Sequence, residues 1–121
     1  AAQTAKLMEL NTRIPQAFYF HGVANFYLGR FETAEKALVQ LEQSGHARDY
    51  PMSYLQMGIM NARQGEIPVA AKDFTQFLRY MPAEQVSVAQ RQRIEQQLTK
   101  WDAEGVIDLE ALEAEIDSEG K

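Results

Sequence analysis

The feature that most constrains the fold of this chain is an internal repeat with a period of 36 residues. When residues 15–50 are aligned with residues 51–86, eight positions are identical, whereas chance would give roughly two at average residue usage. The identical pairs are Pro15/Pro51, Gly22/Gly58, Asn25/Asn61, Gly29/Gly65, Ala34/Ala70, Lys36/Lys72, Gln40/Gln76 and Ala47/Ala83. Because several of these residues are small and stand at fixed offsets, the repeat indicates a shared packing constraint.

Each repeat unit carries the hydrophobic pattern of two helices separated by a glycine. Within residues 17–28, the residues at helical spacing form a stripe of Phe18, His21, Gly22, Asn25 and Phe26. Gly29 then ends this helix, and residues 31–44 resume the same period. The second unit repeats the arrangement, with predicted helices over residues 52–64 and 67–80. We therefore predict an all-α fold.

The order of residues in each unit resembles the tetratricopeptide repeat family, in which an aromatic residue, Leu-Gly and Tyr are followed by Ala, Phe and Pro. The matching residues are Phe18, Gly22, Ala34, Tyr54, Gly58, Ala70, Phe74 and Pro82. The departures are His21 and Met57 for Leu, Asn25 and Asn61 for Tyr, and His46 for the first Pro. The resemblance implies an antiparallel helix-pair solenoid with a right-handed superhelical twist, in which the glycine and alanine slots let paired helices approach closely.

The same resemblance divides the chain into five segments. Residues 1–14 are similar to the end of a preceding unit, so we expect the chain to be part of a longer repeat protein. Residues 15–50 and 51–83 are two full units. Residues 84–101 are a predicted capping helix, of the kind that repeat arrays need at their ends. Residues 102–121 form an acidic tail.

The charge of the chain is concentrated in that tail. The formal net charge is −5, yet residues 1–101 contain 11 Lys and Arg against 9 Asp and Glu, a balance of +2. Residues 102–121 contain 8 acidic residues and one Lys, a balance of −7. Because the repeat units carry no concentrated basic stripe, we do not expect a nucleic-acid partner.

The tail contains a candidate short helix. Asp108 is predicted to cap its N-terminus, and one of its faces is apolar through Leu109, Leu112 and Ile116. A helix of about ten residues is marginal alone, so two interpretations are open. The tail is a frayed acidic linker, or its apolar stripe docks on a groove of this chain or of a second copy. Docking on a second copy would give self-association through residues 103–121.

The sequence does not indicate a catalytic, metal or cofactor site. It contains no Cys and two His, His21 and His46, and its acidic and His residues lack the spacing of metal ligands. It also lacks a Gly-rich phosphate loop and a nucleophile–base motif. We predict that the chain is not an enzyme, needs no cofactor, and packs His21 in its core. No apolar run approaches ~20 residues, so membrane insertion is not expected.

The first helix of each unit lines the inner face of such a solenoid, and we predict a partner-binding groove there. Its candidate residues are Tyr19, Val23, Phe26, Tyr27, Met52, Leu55, Ile59 and Arg63. Aromatic side chains accompanied by Arg are typical binding anchors, and burying each apolar side chain is worth about 1.5–3 kcal/mol. Two alternatives stay open: the row is covered by neighbouring repeats or by the tail, or it forms a dimer contact.

These observations predict a non-catalytic scaffold that binds a peptide or partner segment on its concave apolar face. Some family members clamp a terminal carboxylate with Lys and Asn, but Tyr19 and Val23 stand in those slots, so an apolar strand or helix is the expected ligand. One alternative is a regulatory or targeting module of a larger enzyme whose catalytic domain lies outside this segment. Another is a groove for a small ligand or lipid.

Overall fold

The computed structural model describes residues 13–119, and every regular element in that range is helical. The six α-helices of this range are α1 (Arg13–Tyr27), α2 (Phe31–Gln43), α3 (Met52–Arg63), α4 (Ile67–Tyr80), α5 (Val88–Ala103) and α6 (Leu109–Glu119). Short 3-10 helices follow α2 and α4, at Ala47–Asp49 and Ala83–Gln85. The all-α prediction is therefore confirmed. Of the predicted segment 1–14, residues 1–12 lie outside the described range.

The chain consists of two compact units, Ala1–Met57 and Gly58–Lys121. Helix α3 continues across the boundary, so its first half belongs to the first unit and its second half to the second. The boundary does not coincide with the start of either sequence repeat, because the repeats begin at Pro15 and Pro51 and the boundary lies after Met57. We refer to the two compact units below as the first and second units.

In the first unit, α1 and α2 form a hairpin with a very close approach at Gly22. A Cβ atom placed on Gly22 would lie 2.6 Å from Cδ2 of Leu38, which is closer than real carbon contacts come, so any larger residue here would force the buried Leu38 side chain to shift. Gly29 turns the chain after α1 with a φ of 77°, a left-handed conformation that suits a residue without Cβ. Ala34 and Leu38 of α2 are fully buried and form the core of this hairpin.

In the second unit, the end of α3 packs against α4 in the same way. A Cβ atom on Gly58 would lie 2.6 Å from Cε1 of Phe74, and Gly65 turns the chain with a φ of 80°. The backbone N–H of Glu66 donates to the carbonyl of Asn61 at 2.9 Å, as that of Arg30 donates to Asn25 at 2.8 Å in the first hairpin. The 36-residue sequence repeat is therefore matched by a repeat of local geometry.

Helix α5 begins four residues later than the start predicted at residue 84. The chain first forms the 3-10 helix Ala83–Gln85, and Val86 is extended with a φ of −128°. Ser87 then caps the helix, because its side-chain oxygen accepts a hydrogen bond of 3.1 Å from the backbone N–H of Gln90. On the buried side of α5, Ile94 and Leu98 enter the core of the second unit, and Trp101 stacks on Phe74 with ring centroids 6.1 Å apart.

Candidate functional site

Four of the predicted groove residues lie on α1: Tyr19, Val23, Phe26 and Tyr27. The three aromatic rings among them contact other rings of the first unit. Tyr19 stacks on Tyr50 with centroids 4.7 Å apart and ring planes inclined by 26°. Partial burial raises the pKa of Tyr19 above its ordinary value, and the nearby hydroxyls of Tyr27 and Tyr50 add to the shift. Tyr19 therefore presents a partly exposed aromatic edge that stays neutral at physiological pH.

Phe26 and Tyr27 continue this aromatic row towards the end of α1. Their centroids lie 5.5 Å apart with nearly perpendicular planes, and Phe26 also contacts Phe31 at the start of α2 with centroids 5.6 Å apart. Tyr27 is 72% exposed, whereas Val23 and Phe26 are partly exposed. The four residues thus form a continuous strip along one helix, with Tyr27 the most accessible of them.

Two further apolar side chains are exposed beside this strip, Phe20 on α1 and Leu28 directly after the end of that helix, and neither was predicted to have a role. Phe20 is 57% exposed and Leu28 is 65% exposed. The ring of Phe20 lies 5.6 Å from that of Tyr19. The signal was present in the sequence, since Tyr27 and Leu28 follow Phe20 by seven and eight positions, which is about two helical turns. An exposed apolar patch of this kind is typical of an interaction surface.

The other four predicted groove residues lie on α3 and differ in accessibility. Met52 and Ile59 are partly exposed and Arg63 is exposed. Leu55 is only 7% exposed, so very little of its side chain is available to a partner. Of these four, Met52 and Leu55 belong to the first unit, and Ile59 and Arg63 to the second.

The prediction that His21 packs in the core is wrong. His21 is exposed, while the next residue, Gly22, and Asn25 are buried. The reason is that Gly22, not His21, faces Leu38 of α2, and this rotates the imidazole away from the hairpin. The carbonyl of His21 accepts a hydrogen bond of 2.8 Å from Nδ2 of Asn25. His46 is also exposed, and its Nδ1 lies 3.3 Å from Oδ2 of Asp49.

Two buried polar atoms on α3 have no hydrogen-bond partner among the described residues. They are Oγ of Ser53 and Oε1 of Gln56, in side chains that are 0% and 2% exposed. Burying a polar group without a partner is unfavourable. Both residues belong to the first unit, and they are three positions apart, so they lie on the same side of the helix.

A second candidate surface lies in the second unit, where the acidic helix α6 packs against α4 and α5. Ile116 is fully buried, and Leu109 and Leu112 are partly buried. The predicted apolar stripe of the tail therefore faces the interior of its own unit. Burial of an isoleucine side chain is worth about 1.5–3 kcal/mol, which makes Ile116 the apolar anchor of this contact.

Ion pairs flank that anchor on both sides. Nζ of Lys72 lies 3.1 Å from Oε1 of Glu115 and 2.9 Å from Oε1 of Glu119, and the guanidinium of Arg79 pairs with Asp117. Partial burial alone would lower the pKa of Lys72, but its hydrogen bonds to Glu119 and Glu115 outweigh burial and raise the pKa. The hydrogen bond to Asp117 likewise raises the pKa of Arg79.

Two aspartates hold the start of α6. Oδ1 of Asp108 accepts a hydrogen bond of 3.1 Å from the backbone N–H of Ala111, which confirms the predicted N-terminal cap. Oδ1 of Asp102, near the end of α5, accepts one of 2.9 Å from the backbone N–H of Leu109. Two of the free N–H groups of the first turn are therefore satisfied, one locally and one by the preceding helix.

A cleft of about 460 Å³ remains between α4, α5 and α6 in the second unit. Its walls include Arg79, Arg91, Glu95 and Glu113, with Leu98 and Leu109 among the apolar lining residues. The charges of the cleft are paired locally, since Nε of Arg91 lies 3.2 Å from Oε1 of Glu95 and Arg79 pairs with Asp117. The cleft is thus a mixed surface without excess charge of either sign.

Among residues 13–119, no group of three or more His, Asp or Glu side chains is arranged to hold a metal ion. None of the helices in this range combines the length and the hydrophobicity needed to cross a bilayer. In comparisons with protein-family models, curated proteins and solved structures, none matches this chain.

Proposed function

We propose that the two hairpins are units of a tetratricopeptide-like solenoid and that the chain is a non-catalytic module for protein–protein interaction. The support for the fold is the recurrence of the same turn at Gly29 and Gly65 and of the same close contact at Gly22 and Gly58. Gly22 and Gly58 stand at the glycine slot of the repeat family. Since a fold alone does not define a function, the interaction role rests on the surface of α1.

The observation that carries this proposal is the row of ordered aromatic side chains along α1. Tyr19 and Phe26 are held by ring contacts to Tyr50 and Phe31, so they lose little conformational freedom when a partner covers them. Tyr27 adds a largely exposed ring with both an apolar face and a hydroxyl. Rings of this kind are the usual anchors of protein interfaces.

We place the bound partner segment along α1 and expect it to be apolar and extended or helical. The residues that surround the aromatic row on this helix are mostly uncharged, so charge recognition contributes little. Phe20 and Leu28 widen the apolar surface on the adjacent face. Contributions from Met52, Ile59 and Arg63 remain predictions.

Affinity capture followed by quantitative binding tests this function. The full chain is used to isolate its partners, and the Kd of the recovered partner is measured for the wild type, for Tyr27→Ala and for Tyr19→Ala/Tyr27→Ala. We expect the double variant to bind at least about ten-fold more weakly, since each such anchor contributes more than about 1 kcal/mol. Val69→Ala, an exposed apolar residue on α4, is the matched control.

Circular dichroism must show that the variants keep the helical content of the wild type. Tyr27→Ala is the decisive single variant, because its exposed ring makes the smaller contribution to folding. Equal affinity of the wild type and both variants would move the binding site away from α1 and refute the proposal.

A further inference from the structure

We propose that the face of α4 and α5 covered by α6 is a second binding surface, specific for an acidic amphipathic helix of a partner protein. In this arrangement α6 is an internal ligand that such a helix displaces. We call this surface the α6-docking face and define it by Lys72 and Arg79 of α4 and Leu98 of α5. It is separate from the aromatic row of α1 and does not depend on the function proposed for that row.

Charge complementarity indicates that the ligand of this face carries negative charge. Lys72 and Arg79 lie seven residues apart, so they stand about two turns from each other along α4, and together they engage three carboxylates. Residues 58–101 contain 6 Lys and Arg against 4 Asp and Glu. Helix α6 contains five acidic residues and no basic one. The two cationic side chains of the α6-docking face therefore meet acidic side chains of α6.

The apolar contacts indicate that the ligand is an amphipathic helix. Leu109, Leu112 and Ile116 are separated by three and four residues, which is the spacing of one helix face, and Ile116 is completely buried. Leu98 of α5 is also buried and lines the cleft together with Leu109. An apolar stripe seated in a groove and flanked by charges is a general mode of helix recognition. A competing helix needs the same apolar spacing and the same acidic flanks.

The length and the exposed ion pairs of α6 favour reversible docking on this face. Helix α6 has 11 residues, a length at which an isolated helix is marginal in water, so release from the face and loss of helicity are coupled. The carboxylates of Glu115, Asp117 and Glu119 are roughly half exposed, and water and salt weaken their ion pairs. The short connection through Gly105 keeps α6 at a high local concentration, which an external helix must overcome.

Peptide binding to the full chain tests the proposal. The probe is a fluorescein-labelled peptide with the sequence of residues 106–119, and its binding is followed by fluorescence anisotropy. The chain carrying Ile116→Glu, whose own α6 cannot bury a charged side chain, is expected to bind the probe. Wild-type chain is expected to bind it at least about ten-fold more weakly, because the internal copy competes.

Two controls separate specific docking from general attraction. Lys72→Glu in the Ile116→Glu chain is expected to reduce binding about ten-fold or more. Lys36→Glu is the matched control, since Lys36 is the repeat equivalent of Lys72 but pairs with Glu32 of its own helix. A peptide with the same residues in scrambled order is expected not to bind. Raising the salt concentration from about 0.05 to about 0.5 M is expected to weaken binding of the probe.

The chain carrying Glu115→Gln, Asp117→Asn and Glu119→Gln provides a second route if Ile116→Glu fails to fold. These substitutions lie on exposed side chains and weaken the ion pairs without changing the apolar anchor, so this chain is expected to bind the probe more tightly than the wild type. Equal binding by wild-type and variant chains, or no binding to any of them, overturns the proposal. A concentration-dependent wild-type dimer that Ile116→Glu abolishes would assign the face to a second copy and also overturn it.

Discussion

Nδ2 of Asn61 donates a hydrogen bond of 2.8 Å to Oδ2 of Asp73, a buried carboxylate on the facing helix. In the first hairpin the equivalent of Asp73 is Ala37, and Asn25 instead donates to the carbonyl of His21 within its own helix. The two asparagines occupy matching positions of the sequence repeat. Only the second of them connects two helices.

This difference predicts unequal costs for the same substitution. Asn61→Ala removes a donor from a buried carboxylate and should lower the free energy of unfolding by about 1–3 kcal/mol. Asn25→Ala removes a bond to a backbone carbonyl that already has a helical partner and should cost about 0.5–1.5 kcal/mol. Urea denaturation of both variants measures the difference. Equal losses would show that the bond between Asn61 and Asp73 adds nothing.

The close approach at Gly58 predicts a strong effect of size. Gly58→Leu would push a side chain into the ring of Phe74, which lies 2.6 Å from the position of a Cβ atom, and should destabilise the chain by at least about 2 kcal/mol. Ala24→Leu, at an exposed position of α1, adds a leucine without a clash. Thermal unfolding followed by circular dichroism compares them. A Gly58→Leu chain that melts at the wild-type temperature would contradict the close packing of α3 on α4 at Gly58.

The unpaired hydroxyl of Ser53 predicts that its removal does no harm. Ser53→Ala deletes a buried Oγ atom that has no partner among the described residues, so the free energy of unfolding should stay constant or rise by up to about 1 kcal/mol. Ser87→Ala is the same chemical change at a helix cap and should lower it by about 1 kcal/mol. Urea denaturation should therefore show a loss of stability in Ser87→Ala and none in Ser53→Ala, and a clear loss in Ser53→Ala would contradict the view that its hydroxyl is unpaired.

Alkaline pH should weaken the folded state. The pKa values of Lys72 and Tyr19 are both raised in the folded chain, so each group binds its proton more tightly there than in the unfolded chain. Their contributions to the free energy of unfolding are complete below the pKa values of the unfolded chain, at about 10. They are lost as the pH rises through the higher pKa values of the folded chain. The free energy of unfolding, measured by urea denaturation between pH 8 and pH 11 or so, should therefore fall.

Two conservative variants separate the contributions of Lys72 and Tyr19 to this loss of stability at alkaline pH. Lys72→Arg keeps its positive charge throughout the range and should remove the part that comes from the contact with α6. Tyr19→Phe cannot ionise and should remove the part that comes from the first unit. If neither variant flattens the pH dependence, other groups cause it.

The sequence predicted the features that depend on local chemistry. The helices, the turns at Gly29 and Gly65 and the cap at Asp108 all follow from residues within a few positions of one another, and the structure contains each of them. The docking of the tail was one of two open interpretations, since a sequence does not show which of several basic residues a carboxylate will meet. Lys72 and Glu115 are 43 residues apart, and only the packed second unit brings them together.

The differences at His21 and Leu55 have a common cause, which is the rotation of a helix about its axis. A difference of one position separates the buried Gly22 from the exposed His21, and the sequence pattern allowed either to face α2. The accessibility of Leu55 could not be read for the same reason, because it depends on what packs against α3. The hydrogen bond between Asp102 and Leu109 was missed because it joins residues on either side of the turn at Gly105.

The stacking of Trp101 on Phe74 gives the protein a built-in optical label. Trp101 is the single tryptophan of the chain, and it belongs to the second unit, so indole emission reports on that unit alone. Far-ultraviolet circular dichroism, in contrast, reports on the helices of both. If the two signals change at different urea concentrations, the units unfold in separate steps, and if they coincide, the chain unfolds as one cooperative structure.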